Sequence, residues 1–241
     1  MRPKQHWEHI YTTKSTDRVS WFQKHAEQSL RLIRETGVAE DATIIDVGGG
    51  ASTLVDDLLA SGYSALTVLD PAAAALAASK QRLGSRAGEV RWLEADVTTA
   101  TLPMHGYDVW HDRAVFHFLT SAEQRMAYVR AVLHAVRPGG HIIVAMFAED
   151  GPTECSGLPV MRYSADQLHA EFGQHFQLLK HAKEEHKTPI GTAQKFVYCY
   201  YRRVSTCTAE VNSDEPTSSL RSRQTRSTRQ SLAAAAPWGS H

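Results

Sequence analysis

The stretch Thr43-Ile-Ile-Asp-Val-Gly-Gly-Gly-Ala-Ser52 joins a short apolar strand to a glycine-rich turn, and the fold follows from it. Residues 43–47 form the predicted first strand. The glycines let the chain turn sharply and bring backbone amides close to a ligand. Open α/β sheets bind ligands at this position, beyond the carboxyl ends of their strands. The stretch therefore predicts an α/β sheet with a ligand site beside the glycines.

Helix-like and strand-like segments alternate along the chain around this stretch. Apolar residues recur every three to four positions in residues 21–36, 54–59 and 126–136, and residues 72–83 are rich in alanine. Strand-like runs cover residues 65–70, 90–93, 107–110 and 141–147. Because right-handed crossovers leave few other topologies, the alternation predicts a parallel sheet with helices on both faces.

Two capping boxes and a closing hairpin complete the predicted fold. The boxes lie at Thr120-Ser-Ala-Glu123 and Ser164-Ala-Asp-Gln167, where each opens a helix. Residues 176–180 and 195–201 are strand-like with no helix between them, so they must pair antiparallel. The predicted fold is a Rossmann-like, doubly wound, mostly parallel sheet that ends in an antiparallel β-hairpin.

Composition indicates one catalytic domain with appendages. The chain has 241 residues, of which 42% are hydrophobic, and this is enough for one sizeable core. We assign that core to residues 39–203. Serine, threonine, arginine and alanine dominate residues 204–241, and such a segment buries too little apolar surface to offset its ordering entropy. We therefore predict a disordered tail there.

The net charge and the cysteine content limit the cellular compartment and the partners that we expect. The formal net charge is zero, so no global field attracts nucleic acid or an anionic membrane. The three cysteines show no Cys-x-x-Cys spacing, the N-terminus lacks an apolar signal core, and no apolar run approaches roughly 20 residues. We expect a cytoplasmic protein without a membrane span, for which nucleic acid is an unfavoured partner.

Three carboxylates follow successive predicted strands. Asp46 ends the first strand, and Asp70 ends the second about 20 residues later, where a carboxylate accepts hydrogen bonds from ribose hydroxyls. Asp96 ends the third strand and is placed to meet an adenine amino group. The predicted nucleoside site includes the neighbouring Pro71 and Val97.

Two other interpretations of these residues compete with a nucleoside site. The glycines could serve only a tight turn, and each aspartate could only cap the helix that follows it. A nicotinamide cofactor is the second alternative, but the Gly-x-Gly-x-x-Gly fingerprint fails at Thr53. In addition, the Asp46 carboxylate disfavours a pyrophosphate and favours a cationic amino-acid group. The charge argument favours S-adenosylmethionine.

These residues together resemble the ordered motifs of class I S-adenosylmethionine-dependent methyltransferases. The resemblance covers residues 40–201 and rests on the following segments: Asp46-Val-Gly-Gly-Gly50, Asp70, Glu94-Ala-Asp96, Tyr107-Asp-Val-Trp-His-Asp-Arg113 and Arg137-Pro-Gly-Gly140. It implies S-adenosylmethionine as the cofactor, held by Gly48, Gly49, Gly50, Asp46, Asp70, Asp96 and Asp112. Ser52 replaces a third glycine of many members, which affects the path of the loop.

The N-terminal segment carries a second part of the resemblance. Trp7-Glu-His-Ile-Tyr11 and Val19-Ser-Trp-Phe22 are similar to the opening of a branch that includes protein-lysine, thiopurine and tellurite methyltransferases. The resemblance implies that residues 1–38 form a lid segment and a helix, with Trp7, Tyr11 and Trp21 over the cofactor. Residues 112–117 differ from the lysine-modifying relatives, so their substrate is not transferred to this chain.

Candidate residues for the acceptor side follow the fourth predicted strand. His111, Asp112 and His117 are the predicted catalytic residues, because a histidine titrates near neutrality and can accept a proton from an acceptor. Both histidines could instead be buried packing residues. Cys155 is interpreted as a loop residue, and Arg162 fits either a carboxylate site or a salt bridge.

The resulting hypothesis is a methyltransferase that modifies a nitrogen or sulfur nucleophile of a small molecule or a protein side chain. Two alternatives stay open: a non-catalytic sensor of S-adenosylmethionine, and a nicotinamide-dependent oxidoreductase. No metal is expected, because the spacing of His175, His181 and His186 matches no common zinc pattern. The sequence leaves the oligomeric state open.

Overall fold

The computed structural model describes residues 3–205, and the predicted disordered tail lies outside these residues from position 206 onward. The helices are α1 (Pro3–Thr13), α2 (Glu27–Glu35), α3 (Leu54–Ala60), α4 (Ala73–Leu83), α5 (Ala122–Ala135) and α6 (Ala165–Phe172). The strands are β1 (Thr43–Val47), β2 (Ala65–Asp70), β3 (Val90–Glu94), β4 (Tyr107–Arg113), β5 (Val136–Phe147), β6 (Glu154–Cys155), β7 (Leu158–Pro159), β8 (Phe176–Lys187) and β9 (Ala193–Arg203).

The main sheet has seven strands in the order β3-β2-β1-β4-β5-β9-β8. Strands β1 to β5 run parallel, whereas β9 pairs antiparallel with β5 and with β8. The predicted fold class is confirmed. This order places the carboxyl ends of β1, β2 and β4 next to each other, where loops from three separate parts of the chain can meet.

A hydrophobic layer covers each face of the sheet, and strand β5 supplies both layers. Ile142, Val144 and Met146 pack on the face that holds α5 and α6, while Ile143 and Phe147 pack on the face that holds α2 and α3. All five are at most 1% exposed. Full burial of such side chains stabilises the fold by roughly 1.5–3 kcal/mol each. The uninterrupted apolar run in the sequence therefore reflects burial on both faces.

Two element boundaries differ from the sequence-based expectations. Helix α2 begins at Glu27 rather than near Trp21, because the backbone N–H of Ala26 is held by Oδ2 of Asp57 at 2.9 Å and the residues before it line a cavity. The cap of α5 is Ser121, whose hydroxyl accepts the N–H of Gln124 at 3.3 Å. The capping box therefore starts one residue later than predicted.

The other differences concern strand lengths. Strand β5 starts at Val136 and includes the segment 137–140, which was expected to be only the end of a helix. Strands β8 and β9 span 12 and 11 residues and are longer than the predicted hairpin. The capping box at Ser164 and Gln167 is confirmed. Within residues 3–205 no helix combines the length and the apolar character that crossing a bilayer requires.

Candidate active site

A cavity of about 330 Å³ opens at the carboxyl ends of β1, β2 and β4. Eight of the predicted cofactor residues line it: Trp7, Tyr11, Trp21, Gly48, Asp70, Pro71, Asp96 and Val97. These residues come from positions 7 to 97 of the chain, and the sheet order brings them together. The volume is within the range of about 300–1,000 Å³ that small-molecule sites occupy.

Asp70 lies in the cavity wall at the end of β2 and is only 4% exposed. Its Oδ2 accepts the N–H of Gly50 at 3.1 Å, and its Oδ1 accepts the N–H of Ala72 at 2.8 Å. Burial raises the pKa of Asp70 to about 7, although both backbone hydrogen bonds lower it. Each carboxylate oxygen has more than one lone pair, so the group can also accept hydrogen bonds from a ligand in the cavity.

Two glycines allow the loop to pack against two carboxylates. A Cβ atom on Gly49 would lie 2.2 Å from Oδ2 of Asp46, and one on Gly50 would lie 2.6 Å from the Asp70 carboxyl carbon. Any larger residue therefore displaces one of the aspartates. The glycines therefore form the turn and also let the loop backbone lie close to the carboxylates of Asp46 and Asp70.

Asp96, Val97 and Pro71 form the outer part of the cavity. Asp96 is exposed, and its Oδ1 accepts the backbone N–H of Thr98 at 2.8 Å and the hydroxyl of Thr98 at 2.7 Å. Val97 is buried at 5% exposure. Asp96 therefore stabilises its own turn and also faces the cavity, which combines the two interpretations that the sequence left open.

A second pocket of about 40 Å³ lies behind the glycine loop and shares Trp21, Val47, Gly48 and Arg113 with the cavity. Asp46, 3% exposed, lines it, and its Oδ2 has no hydrogen-bond partner among the described residues. Nη2 of Arg113 likewise lacks a hydrogen-bond partner within residues 3–205. The small pocket is therefore bordered by one buried carboxylate and one buried guanidinium cation.

The last two strands hold the Arg113 side chain in place. Nε of Arg113 donates to the hydroxyl of Tyr198 at 3.0 Å, and Nη1 donates to the carbonyl of Trp21 at 3.2 Å. Nη2 lies 3.5 Å from a carboxylate oxygen of Glu184, which also accepts the Tyr198 hydroxyl at 3.1 Å. The guanidinium stacks over Phe196 at 4.3 Å. Arg113 is thus fixed from three directions and only 10% exposed.

Helix α1 covers the cavity with aromatic rings. Trp7 packs edge to face against Trp21 at 5.7 Å and against Phe118 at 4.9 Å between ring centroids. Lys4 forms an ion pair with Glu94, which ends β3. Glu8 accepts the N–H of Ala74 at 3.3 Å in the first turn of α4. Two polar contacts therefore fasten α1 across the carboxyl ends of the strands.

The structure places His111 behind the glycine loop and outside the lining of the large cavity. Its Nδ1 lies 2.7 Å from Oδ1 of Asp46, and its Nε2 lies 2.9 Å from the hydroxyl of Ser29. With a proton on Nδ1, the ring donates to Asp46 and accepts from Ser29. His111 therefore orients Asp46, and both of its ring nitrogens are engaged in hydrogen bonds within the protein.

Asp112 and His117 also lie outside the lining of the cavity. Asp112 is fully buried and accepts the N–H of Val115 at 2.8 Å, the N–H of Phe116 at 3.1 Å and the hydroxyl of Tyr128 at 2.6 Å. Burial lowers the pKa of His117 to about 3, and its ring packs 4.7 Å from that of Phe147. These contacts give both residues structural roles.

Several residues that line the cavity were not assigned to it from the sequence. They are Lys4, Leu69, Ala114, Phe118, Leu158 and Pro159, together with Arg113 and Cys155. Arg113 directly follows Asp112 at the end of β4, so its position at a strand end was a usable signal. Leu158 and Cys155 belong to a hairpin whose two strands have only two residues each, and no pattern in the sequence indicates it.

Comparisons with known proteins agree with this geometry. Residues 45–142 match a protein-family model described as a methyltransferase domain. The chain is 24% identical over 155 residues to EEF1A lysine methyltransferase 2 of Danio rerio, which is 58% of this chain and 66% of that protein. The chain thus spans just under two thirds of the length of that relative.

Two solved structures share the fold. One comes from work described as the conversion of a disulfide bond into a thioacetal group during echinomycin biosynthesis. It is 18% identical to this chain with a TM-score of 0.68, and the match covers 83% of this chain and 93% of the chain in that structure. The other is a 1,6-didemethyltoxoflavin-N1-methyltransferase of Burkholderia thailandensis with bound S-adenosylhomocysteine, with a TM-score of 0.58, 18% identity and 81% coverage of both chains. The family match over residues 45–142, the fold and the cavity together support a class I S-adenosylmethionine-dependent methyltransferase.

Proposed function

We propose that the chain binds S-adenosylmethionine across the cavity and the small pocket, and transfers the methyl group to a nitrogen or sulfur nucleophile of a small molecule or a protein side chain. The observation that carries this proposal is the pair of opposite, buried charges at the small pocket. Asp46 and Arg113 each have one polar atom without a hydrogen-bond partner among the described residues.

A zwitterion satisfies both of these atoms. A buried polar atom that lacks a hydrogen bond is costly even when the rest of its group is paired, so a ligand that supplies one ammonium and one carboxylate gains from both. The ammonium of the methionine portion fits Oδ2 of Asp46, and the carboxylate fits the guanidinium of Arg113. A nicotinamide dinucleotide would instead bring a pyrophosphate next to the Asp46 carboxylate, which costs energy.

The large cavity fits the nucleoside portion. Asp70 faces it with two carboxylate oxygens that can accept ribose hydroxyls, and the neighbouring Pro71 and Val97 offer apolar surface to a base. Asp96 stands at the outer end, where its carboxylate can accept an amino group of adenine. Trp7 closes the same space from α1.

The chemistry requires little from the protein beyond positioning. When bound, S-adenosylmethionine supplies a methyl group that its sulfonium has already activated. The chain holds the amino-acid and ribose ends, so the methyl carbon is aligned for in-line attack. Helix α1 and the hairpin of β6 and β7 exclude water from the reacting atoms. His111 contributes by orienting Asp46.

The names of two similar proteins bear on the chemical class of the methyl acceptor. The relative from Danio rerio is named for a lysine of a protein, and the structure from Burkholderia thailandensis for the N1 position of a small molecule. Both names denote transfer to nitrogen. They support the coarse proposal of a nitrogen or sulfur acceptor and leave its size open between a protein and a small molecule.

Calorimetry with S-adenosylhomocysteine tests the cofactor site. Asp70→Ala should weaken binding at least about tenfold, because it removes hydrogen bonds to a charged group. Asp41→Ala serves as the control, since Asp41 is an exposed aspartate outside the cavity lining. Equal affinity for both variants would remove Asp70 from the site.

A second experiment tests the zwitterion pocket. Arg113→Lys should weaken S-adenosylhomocysteine about tenfold through loss of the planar fork, and should leave 5′-methylthioadenosine unaffected. The second ligand lacks the amino-acid portion, so a general disturbance of the fold would weaken both. Parallel losses for the two ligands would contradict a role of Arg113 in holding the carboxylate.

A further inference from the structure

One part of the cavity wall is built from the N-terminal segment, the end of β4 and the hairpin of β6 and β7. It is formed by Tyr11, Trp21, Arg113, Cys155 and Leu158. Tyr11 and Trp21 lie 6.1 Å apart between ring centroids, and Cys155 pairs with Leu158 in the hairpin. We refer to these five residues as the acceptor end.

The titratable groups in the cavity wall divide between the two ends. The complete set within residues 3–205 is Lys4, Tyr11, Asp70, Asp96, Arg113 and Cys155. Lys4 is paired with Glu94, Asp96 is bonded to Thr98, and Asp70 accepts two backbone N–H groups. The acceptor end therefore contains a phenol, a thiol and a guanidinium, and no histidine or carboxylate.

None of these three groups accepts a proton near neutral pH. Burial raises the pKa of the Cys155 thiol to about 11, and burial raises that of the Tyr11 phenol above its usual range. Both groups therefore already carry a proton. Arg113 is a permanent cation. Asp70 lines the same cavity, but in the proposed function its carboxylate is bonded to the ribose hydroxyls. An acceptor that must lose a proton before attack therefore finds no free base in the cavity wall.

We propose that the methyl acceptor is a small nucleophile with a lone pair that is free at neutral pH, namely a thiolate sulfur or an aromatic ring nitrogen, rather than the ammonium group of a lysine. This inference rests on the proposed function. The 330 Å³ cavity must hold the adenosyl portion as well, so the acceptor is about the size of a single ring.

The reaction balances without a base. The lone pair of the acceptor forms the new bond to the methyl carbon, while the bond between that carbon and the sulfonium sulfur breaks. The electron pair of the broken bond stays on the sulfur and yields S-adenosylhomocysteine. A thiolate becomes a neutral thioether, and a ring nitrogen becomes an N-methyl cation. An alkylammonium, with a pKa near 10.4 in lysine, would first have to lose its proton.

The test compares three single-ring probes with the full chain at saturating S-adenosylmethionine. Thiophenol and 4-methylpyridine represent the two proposed classes, and benzylamine is the alkylammonium of matched size. At least one of the first two should release S-adenosylhomocysteine about a hundredfold faster than benzylamine at pH 7.5, because little of the alkylamine is unprotonated there.

The outcomes separate this inference from the proposed function. Faster methylation of benzylamine or of a lysine-containing peptide would overturn the acceptor class, as would inactivity with both proposed probes while S-adenosylhomocysteine still binds. Failure to bind S-adenosylhomocysteine would overturn the proposed function itself. With 4-methylpyridine, kcat should follow only the titration of the probe, and a further inflection between pH 7 and 9 would reveal an enzyme base.

Discussion

The two ends of the cavity are built in different ways. The cofactor end is formed by strand ends and the glycine loop, where Asp70 and Gly50 hold each other through a hydrogen bond of 3.1 Å. The acceptor end is formed by α1, the short hairpin of β6 and β7, and side chains fixed by β8 and β9. The cofactor end uses backbone that the sheet must form in any case, whereas the acceptor end depends on loops.

This difference explains why the two ends should respond differently to substitution. Strand ends are held by the hydrogen-bond ladder, so a change there is resisted and costs affinity. Loops tolerate change, which alters the shape of a pocket without disturbing the fold. Substitutions at the cofactor end should therefore affect every ligand. Those at the acceptor end should affect only the second substrate, except at Arg113, whose guanidinium also borders the small pocket proposed for the amino-acid portion of the cofactor.

The largest effect is expected from Gly50→Ala. Its Cβ would lie 2.6 Å from Ala75 and from the Asp70 carboxylate, so the loop must shift away from the acid. Overpacking of this kind costs about 1–3 kcal/mol, and binding of S-adenosylhomocysteine should weaken by up to about a hundredfold in calorimetry. Gly88→Ala is the control, because a Cβ at Gly88 meets no atom within 4 Å. Unchanged affinity in Gly50→Ala would contradict the rigid cofactor end.

A smaller and more selective effect is expected from Leu158→Trp. The larger ring fills the acceptor end, so kcat/KM for the acceptor should fall about thirtyfold while the affinity for S-adenosylhomocysteine stays the same. Glu154→Trp, on the exposed part of the same hairpin, is the matched control. If Leu158→Trp weakened both ligands equally, the two ends would not be separable.

The pH dependence of cofactor binding gives the third prediction. Ribose hydroxyls donate to the ionised form of Asp70, so binding lowers its pKa from about 7. Affinity is therefore full above pH 7 and is lost as the pH falls through that value. Between pH 8 and pH 6 the loss should be about tenfold in calorimetry, with release of a proton on binding at pH 6. Asp70→Ala should show no such dependence.

The smallest effect is expected where α1 is fastened to the rest of the site. Glu8→Gln removes a negative charge from the first turn of α4 but keeps a hydrogen-bond acceptor for Ala74. Such interactions with a helix N-terminus are weak and screened by salt, so the affinity for S-adenosylhomocysteine should fall about two- to fivefold at low ionic strength. Glu27→Gln, in the first turn of α2, is a control away from the cavity. A larger loss would mean that α1 is a structural part of the cofactor end.

The residues proposed for the cofactor end can be found from the sequence because they lie in short, ordered segments. Gly48, Asp70 and Asp96 each lie at or just after the end of a strand, and the order of the sheet brings them to one cavity. The same rule also selects His111 and Asp112, which lie in β4 but outside the lining of the cavity. Successive residues of a strand point to opposite faces of the sheet. Six of the seven residues of β4 are buried, so burial along this strand does not show which side chains reach the cavity.

Of the acceptor end, Tyr11 and Trp21 were placed over the cofactor by the resemblance, but Arg113, Cys155 and Leu158 were not assigned to it because these residues meet only after folding. Cys155 and Leu158 belong to a hairpin of two-residue strands, which has no periodicity to recognise. Arg113 depends on Tyr198 and Glu184, which are 85 and 71 positions away in the sequence. A single chain contains no signal for such distant partners, so the assignment of Arg113 needs coordinates.

The dependence of Arg113 on the last two strands has a consequence for biosynthesis. Glu184 and Tyr198 leave the ribosome long after the glycine loop, so a nascent chain that has completed β1 to β5 still lacks the groups that anchor the guanidinium. The N-terminal portion of a domain is synthesised first, at about 5–20 residues per second. Cofactor capture should therefore follow translation of the whole domain, and truncation before residue 184 should yield a chain that cannot retain the cofactor even where its parallel strands form.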